Sequence, residues 1–215
     1  MIHRPTSAEI DDAMLDAAAA LFARRGVKDT AVQAVADEVG YSKAAVLQRF
    51  GSKAHLLERV IARCVSLAES VLASVADLPA GPARDARAIA VLTDVALANP
   101  GFVAMLIGAA TNQRGTELAD GMEAAGLTTL RAFGIDGWDA SADGAVRAVR
   151  VAGCLGAVTV LSVVHEPYLS SDDARPQIIA AAYATLHGAG PPPGLDGPAA
   201  TAYRSSATKG ASSVG

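Results

Sequence analysis

Between Thr30 and Leu57 the chain gathers side chains that bind anions and planar polar edges: Thr30, Gln33, Tyr41, Ser42, Lys43, Gln48, Arg49 and Lys53. Cations, hydroxyls and amides of this kind neutralise phosphate oxygens and match the donors and acceptors of a base edge. Residue types suited to covalent chemistry are present but not arranged for it. The four histidines are scattered, no G-x-S-x-G turn occurs, and His165-Glu166 runs into Pro167-Tyr168-Leu169 where a zinc-binding helix would need a second histidine. The carboxylate pairs Asp11-Asp12, Asp37-Glu38 and Asp172-Asp173 fall near helix ends or on polar faces, where acidic residues are ordinary. Cys64 and Cys154 lie far apart and form no C-x-x-C pair, so neither a zinc site nor a disulfide framework is indicated. The chain is expected not to be an enzyme and to need no metal or cofactor.

The polar residues of 30–57 need rigid elements beneath them. Thr6-Ser-Ala-Glu9 has the form of a capping box and starts a first helix. Ile10, Met14, Ala17, Ala18, Leu21 and Phe22 recur along it at helical spacing, and Arg24-Arg25-Gly26 ends it. A second capping box, Thr30-Ala-Val-Gln33, opens a short helix with Val32, Val35 and Ala36 inward and Val39-Gly40 at its close. Ser42 caps a third helix through Val46 to the neighbourhood of Arg49, and Phe50-Gly51-Ser52 breaks it. Ser52 caps a long fourth helix, apolar along Leu56, Leu57, Val60, Ile61, Cys64, Leu67 and Val71, that ends near Asp77. Two short helices across a glycine turn present the second one outward, which is how a helix-turn-helix lays a helix in the DNA major groove. Thr30 and Lys53 are then expected on phosphates, and Lys43, Ala44 and Gln48 in the groove.

Further helices are expected near Asp85 to Ala98, Phe102 to Thr111, Thr116 to Phe133, Ala142 to His165 and Ala174 to His187, with no convincing strand. The fold class is all-α: an N-terminal three-helix helix-turn-helix domain, residues 1–54, and a C-terminal helical ligand-binding and dimerisation domain, residues 55–188. Residues 189–215, rich in Pro, Gly, Ser and Thr, are expected to form a disordered tail. The 51% apolar and 4% aromatic content fits cores of Ala, Val and Leu in closely packed helices. The net charge of −4 hides a gradient: residues 1–63 hold nine of the 18 Lys/Arg and eight of the 22 Asp/Glu, including three of the four lysines. That mild local excess suits phosphate contact. No cationic head followed by an apolar run opens the chain, so a cytoplasmic location is expected.

With these positions named, residues 8 to 60 resemble the DNA-binding domain of the tetracycline-repressor (TetR) family of bacterial regulators. The resemblance is carried by Ala17-Ala18, Leu21-Phe22, Gly26, Thr30, Val35-Ala36, Gly40, Ser42, Phe50 and Lys53, in the family's order and spacing. One position departs from it: the family usually places a tyrosine hydroxyl on the DNA backbone where this chain has Leu47, and Tyr41, Gln48 and Arg49 are the nearby groups that could compensate. The resemblance implies double-stranded operator DNA as partner, a small-molecule effector, and a homodimer through the last two long helices.

Val151 to Val164 carries no charge on any face, too short an apolar run for a membrane span of about 20 residues. It is expected to be a buried helix covered on one side by its own domain and on the other by a second subunit. Gly153, Gly156 and Ala157 would allow close approach, with Ile178, Ile179, Ala182 and Leu186 joining in. An apolar effector site is expected among Phe102, Met105, Leu106, Leu130, Phe133, Trp138 and Cys154, with Gln113 or Thr159 as polar contacts. The function expected is a repressor released from a palindromic operator by a small apolar ligand, although the residues do not separate repressor from activator. The alternative is a helical ligand-binding or scaffold protein whose DNA-binding motif has degenerated.

Overall fold

The structure, a computed structural model, describes residues 5–111, 117–137, 141–165 and 168–188. Gln113, Trp138 and the tail from residue 189 lie outside the described residues. The described residues form helices and connecting turns only: α1 (Ser7–Arg25), α2 (Val32–Val39), α3 (Lys43–Phe50), α4 (Lys53–Ala73), α5 (Pro82–Ala98), α6 (Pro100–Thr111), α7 (Glu117–Ala132), α8 (Ala142–Val164) and α9 (Ser171–His187).

Local chemistry accounts for most of these boundaries. The capping box at α1 forms as its spacing predicts: the Glu9 amide donates to Thr6 Oγ1 at 3.3 Å, and the Thr6 amide to Glu9 Oε2 at 2.7 Å. Pro82 and Pro100 begin α5 and α6 a few residues earlier than expected, because the missing N–H of a first-position proline has no helical partner to lose. Helix α9 also begins early, at Ser171, since Ser170 Oγ accepts the Asp173 amide at 3.2 Å. Pro176 is tolerated inside it.

The chain divides into two compact units. The first comprises residues 1–68 and 99–126, the second 69–98 and 127–215. Compact packing thus divides the chain at other points than the functional domains expected at 1–54 and 55–188, because α6 packs along α1. The core of the first unit joins Met14, Leu15, Ala18, Leu21 and Phe22 of α1 to Val35 and Ala36 of α2, Val46 and Phe50 of α3, and Leu56, Leu57 and Val60 of α4. Complete burial of side chains such as Leu21 and Phe22 contributes about 1.5–3 kcal/mol each.

In the second unit α5, α8 and α9 pack on one another. One sequence expectation, that α9 joins a subunit interface, needs correction here. Helix α8 is buried along one line only, Val151, Cys154, Val158 and Ser162, and exposes Val146, Val149, Val160, Val163 and Val164. Ile178, Ile179, Ala182 and Leu186 are buried within their own subunit, so these residues are not available to a partner: the apolar face of α9 is occupied by α5 and α8. By length and composition Asp143–Val164 could cross a bilayer. Its Arg147, however, donates to both oxygens of the fully buried Asp85 on α5, at 3.0 and 3.3 Å, and to the Phe133 carbonyl at 2.6 Å. That places the helix as a packed element of this unit.

Candidate nucleic-acid interface

The geometry of residues 26–57 follows from glycine turns and hydroxyl caps. Gly40 ends α2 in the left-handed conformation, φ 73° and ψ 27°, which turns the chain sharply and frees Ser42 to cap α3. Ser42 Oγ accepts the Ala45 amide at 3.1 Å, and Ser52 Oγ accepts the His55 amide at 3.1 Å at the start of α4. Val46 and Phe50, one turn apart, face the core, so the opposite side of α3 must face outward. It carries Ala44 and Gln48, both exposed; Lys43 is exposed at the first position of the helix, one turn before Val46 and Leu47, with Tyr41 and Ser42 exposed just before it and Leu47 half-buried. The side chains of Lys43 and Gln48 make no hydrogen bond or ion pair among the described residues, which leaves a cation at the start of α3 and an amide on its outer face for an outside partner.

Four other residues expected at the DNA have partners inside the protein. Thr30 is only 1% exposed, and its hydroxyl donates to the carbonyls of Gly26 at 2.7 Å and Leu21 at 3.3 Å. The second capping box does not form: α2 is capped at Ala31, with no side-chain bond, because the threonine is turned toward the end of α1. Gln33 Nε2 donates to Asp37 Oδ1 at 2.6 Å along α2. Lys53 Nζ donates to the carbonyls of Val27 at 3.0 Å and Lys28 at 2.9 Å, tying α4 to the turn after α1. Arg49 is paired with Asp11 and also donates to Ser7 Oγ at 3.0 Å.

Asp11 and Asp12, which in the sequence look like an ordinary polar face, and Asp16, which it does not single out, join α1 to its neighbours. Asp11 holds Arg49 of α3, Asp12 Oδ2 accepts Arg63 of α4 at 2.8 Å, and Asp16 receives the first free amides of α6. The only available signal was their density on one helix. Burial raises the pKa of Asp16 above its ordinary value, against the lowering effect of the Gly101 and Phe102 amides.

The residues expected to bind an effector fall in both units. Phe102, Met105 and Leu106 belong to the first unit, with Phe102 and Met105 in its core and Leu106 packed against it. Leu130, Phe133, Cys154 and Thr159 belong to the second. Thr159 Oγ1 donates to the Leu155 carbonyl at 2.6 Å, and burial, then the charge of Asp85, pushes the Cys154 thiol up to about 12. No group of three or more His, Cys, Asp or Glu side chains among the described residues could hold a metal ion.

The family described as bacterial regulatory proteins, tetR family, matches residues 14–60, which include all of α2 and α3. No curated protein matches the sequence. Among solved structures, the chain is similar to a TetR-like transcriptional regulator from Rhodococcus sp. RHA1, with 22% identity and a TM-score of 0.53 over 86% of this chain and 100% of that one. It is also similar to the TetR family regulator PfmR from Thermus thermophilus, with 24% identity and a TM-score of 0.48 over 83% and 99% of the two chains. The all-helical fold of the Rhodococcus regulator is thus shared along most of the chain, and residues 14–60 carry a helix-turn-helix that matches the tetR family of bacterial regulatory proteins.

Proposed function

We propose that the protein is a cytoplasmic repressor that binds a palindromic operator as a homodimer and is released by a small apolar molecule. Residues 1–54 serve as the DNA-binding domain and 55–188 as the effector-binding and dimerisation domain. The observation that carries the reading is α3 itself, where Ala44 and Gln48 stand exposed opposite the buried pair Val46 and Phe50 and Lys43 stands exposed at the helix start. Lysine suits guanine O6 and N7, glutamine suits adenine N6 and N7, and alanine packs against a thymine methyl. Tyr41 and Ser42 are the flanking groups for the phosphates.

The exposed valines of α8 support the homodimer, since a second copy of the same helix would cover them. Two α3 helices related by a two-fold axis read half-sites about one helical turn apart. An effector can release DNA only by binding more tightly to a subunit arrangement with the wrong spacing.

Gel-shift titration with the DNA flanking the protein's own gene, over a salt series and against random competitor duplex, tests the proposal. Retention that survives competition and shortens to a palindromic core by footprinting is expected. Weak binding that any duplex competes away would leave the operator reading without support.

A further inference from the structure

We infer that Arg49 is a positioning residue, which sets the roll of α3 through Asp11 and Ser7 and makes no contact of its own with DNA. The inference rests on the operator-binding reading above and concerns how the reading face is aimed.

Helix α3 has eight residues, too few to be stable alone, so its orientation is decided by what holds it. Its apolar hold is narrow. Val46 and Phe50 lie one turn apart, on a single line along the helix axis, and Leu47 beside them is only half-buried. A helix anchored along one line keeps its position but can roll about that line. Roll is the motion that matters to Lys43, Ala44 and Gln48, because a bidentate base contact tolerates little angular error.

Arg49 lies on the flank of that line and supplies a second, lateral attachment. Its Nη1 donates to Ser7 Oγ at 3.0 Å, approaches the Ser7 carbonyl at 3.4 Å, and pairs with the Asp11 carboxylate. Ser7 and Asp11 are one turn apart on α1, so the guanidinium spans two points on the same helix face. The anchor itself is rigid, because the capping box of Thr6 and Glu9 fixes the first turn of α1. The side chains of Arg49 and Asp11 are 28% and 36% exposed, so the pair adds little to overall stability. Its effect falls on orientation.

The rival role, a phosphate contact, makes opposite predictions. The full-length chain is titrated with duplexes selected by the wild type from a random pool, over a salt series. The variants are Arg49→Gln, Asp11→Asn and the charge exchange Asp11→Arg with Arg49→Asp, with folding checked by circular dichroism. A positioning role predicts that Arg49→Gln and Asp11→Asn each lower affinity by about tenfold, comparable to one misaimed bidentate contact. It also predicts an unchanged salt slope and recovery of most of the affinity in the exchange variant, which restores the pair with reversed polarity. The inference is overturned if Arg49→Gln flattens the salt slope by about 0.9, one phosphate's worth. Failure of the exchange to recover affinity, or full affinity in Arg49→Gln, overturns it as well. A wild type that selects no sequence at all overturns the operator reading, and this inference with it, so the two failures are told apart by the wild-type result alone.

Discussion

The carboxylate of Asp16, in the middle of α1, accepts the amide of Gly101 at 3.1 Å across 85 positions of sequence, and that of Phe102 at 3.0 Å. Helix α6 starts with Pro100, which has no N–H, so these are its first two amides and both are satisfied by another helix. The approach leaves no room for a side chain at 101. A Cβ there would lie 2.8 Å from the Asp16 carbonyl carbon and 2.9 Å from Asp16 Cγ, closer still to the carbonyl oxygen.

Gly101→Ala should therefore destabilise the protein, although alanine is the better helix former. The obstacle is backbone, which cannot rotate aside, and overpacking of this kind costs about 1–3 kcal/mol. Urea unfolding of wild type and variant measures it. Equal midpoints would show that α1 and α6 can separate freely at this point.

Asp16→Asn probes the same junction through pH. The carboxyl is raised from its ordinary 3.8, chiefly by burial, so the folded state holds its proton more tightly than the unfolded chain. Stability from this group is fully present below the unfolded pKa and declines as pH rises through the folded one. Relative to Asp16→Asn, wild type should lose stability as pH climbs from about 3.8 toward neutral. Urea midpoints for both proteins at several pH values give the difference, and a flat difference would mean that burial and the two amides cancel.

Thr30→Val tests where the threonine acts. With its hydroxyl donating to Leu21 and Gly26, the variant keeps the shape and loses the bonds, a cost of about 0.5–1.5 kcal/mol. The salt slope of DNA binding should stay as in wild type, because no phosphate partner is lost. A slope shallower by about 0.9 with unchanged stability would return Thr30 to the phosphates.

These three positions mark what sequence can and cannot disclose. Helix starts at Ser7 and Lys43 are set by neighbours within three residues, so caps and glycines make them legible. The outward face of α3 is legible too, since Val46 and Phe50 fix which side is inward. The direction of Thr30 is not, because a hydroxyl that could cap α2 meets stronger acceptors at the end of α1, and only the folded chain brings them near. Lys53 and Arg49 are spent in the same way on partners 25 to 42 residues away. The C-terminal helices pose a different difficulty. Both α8 and α9 are apolar, and their composition alone does not say which face closes the subunit's own core.

On α8 the exposed residues have the pattern expected of a seam with a second copy. Val146, Val149, Gly156, Val160 and Val163 are all exposed, at the spacings of three, four and seven of a helix that packs against another helix, while Gly153 between them already packs on Thr185 of α9. Val149 is 73% exposed and Val160 49%, so neither supports the fold of the isolated subunit. Covering a valine fully is worth about 1.5–3 kcal/mol, and a seam of several on each of two copies is a substantial driving force. Aspartate at Val149 and Val160 would place four like charges in that seam, while in a single subunit both residues would point to water. The double variant should sediment as a folded monomer with unchanged helix content, and its DNA affinity should fall because each half-site is then held alone. If it sediments as the wild type does, the subunits meet through another surface or not at all.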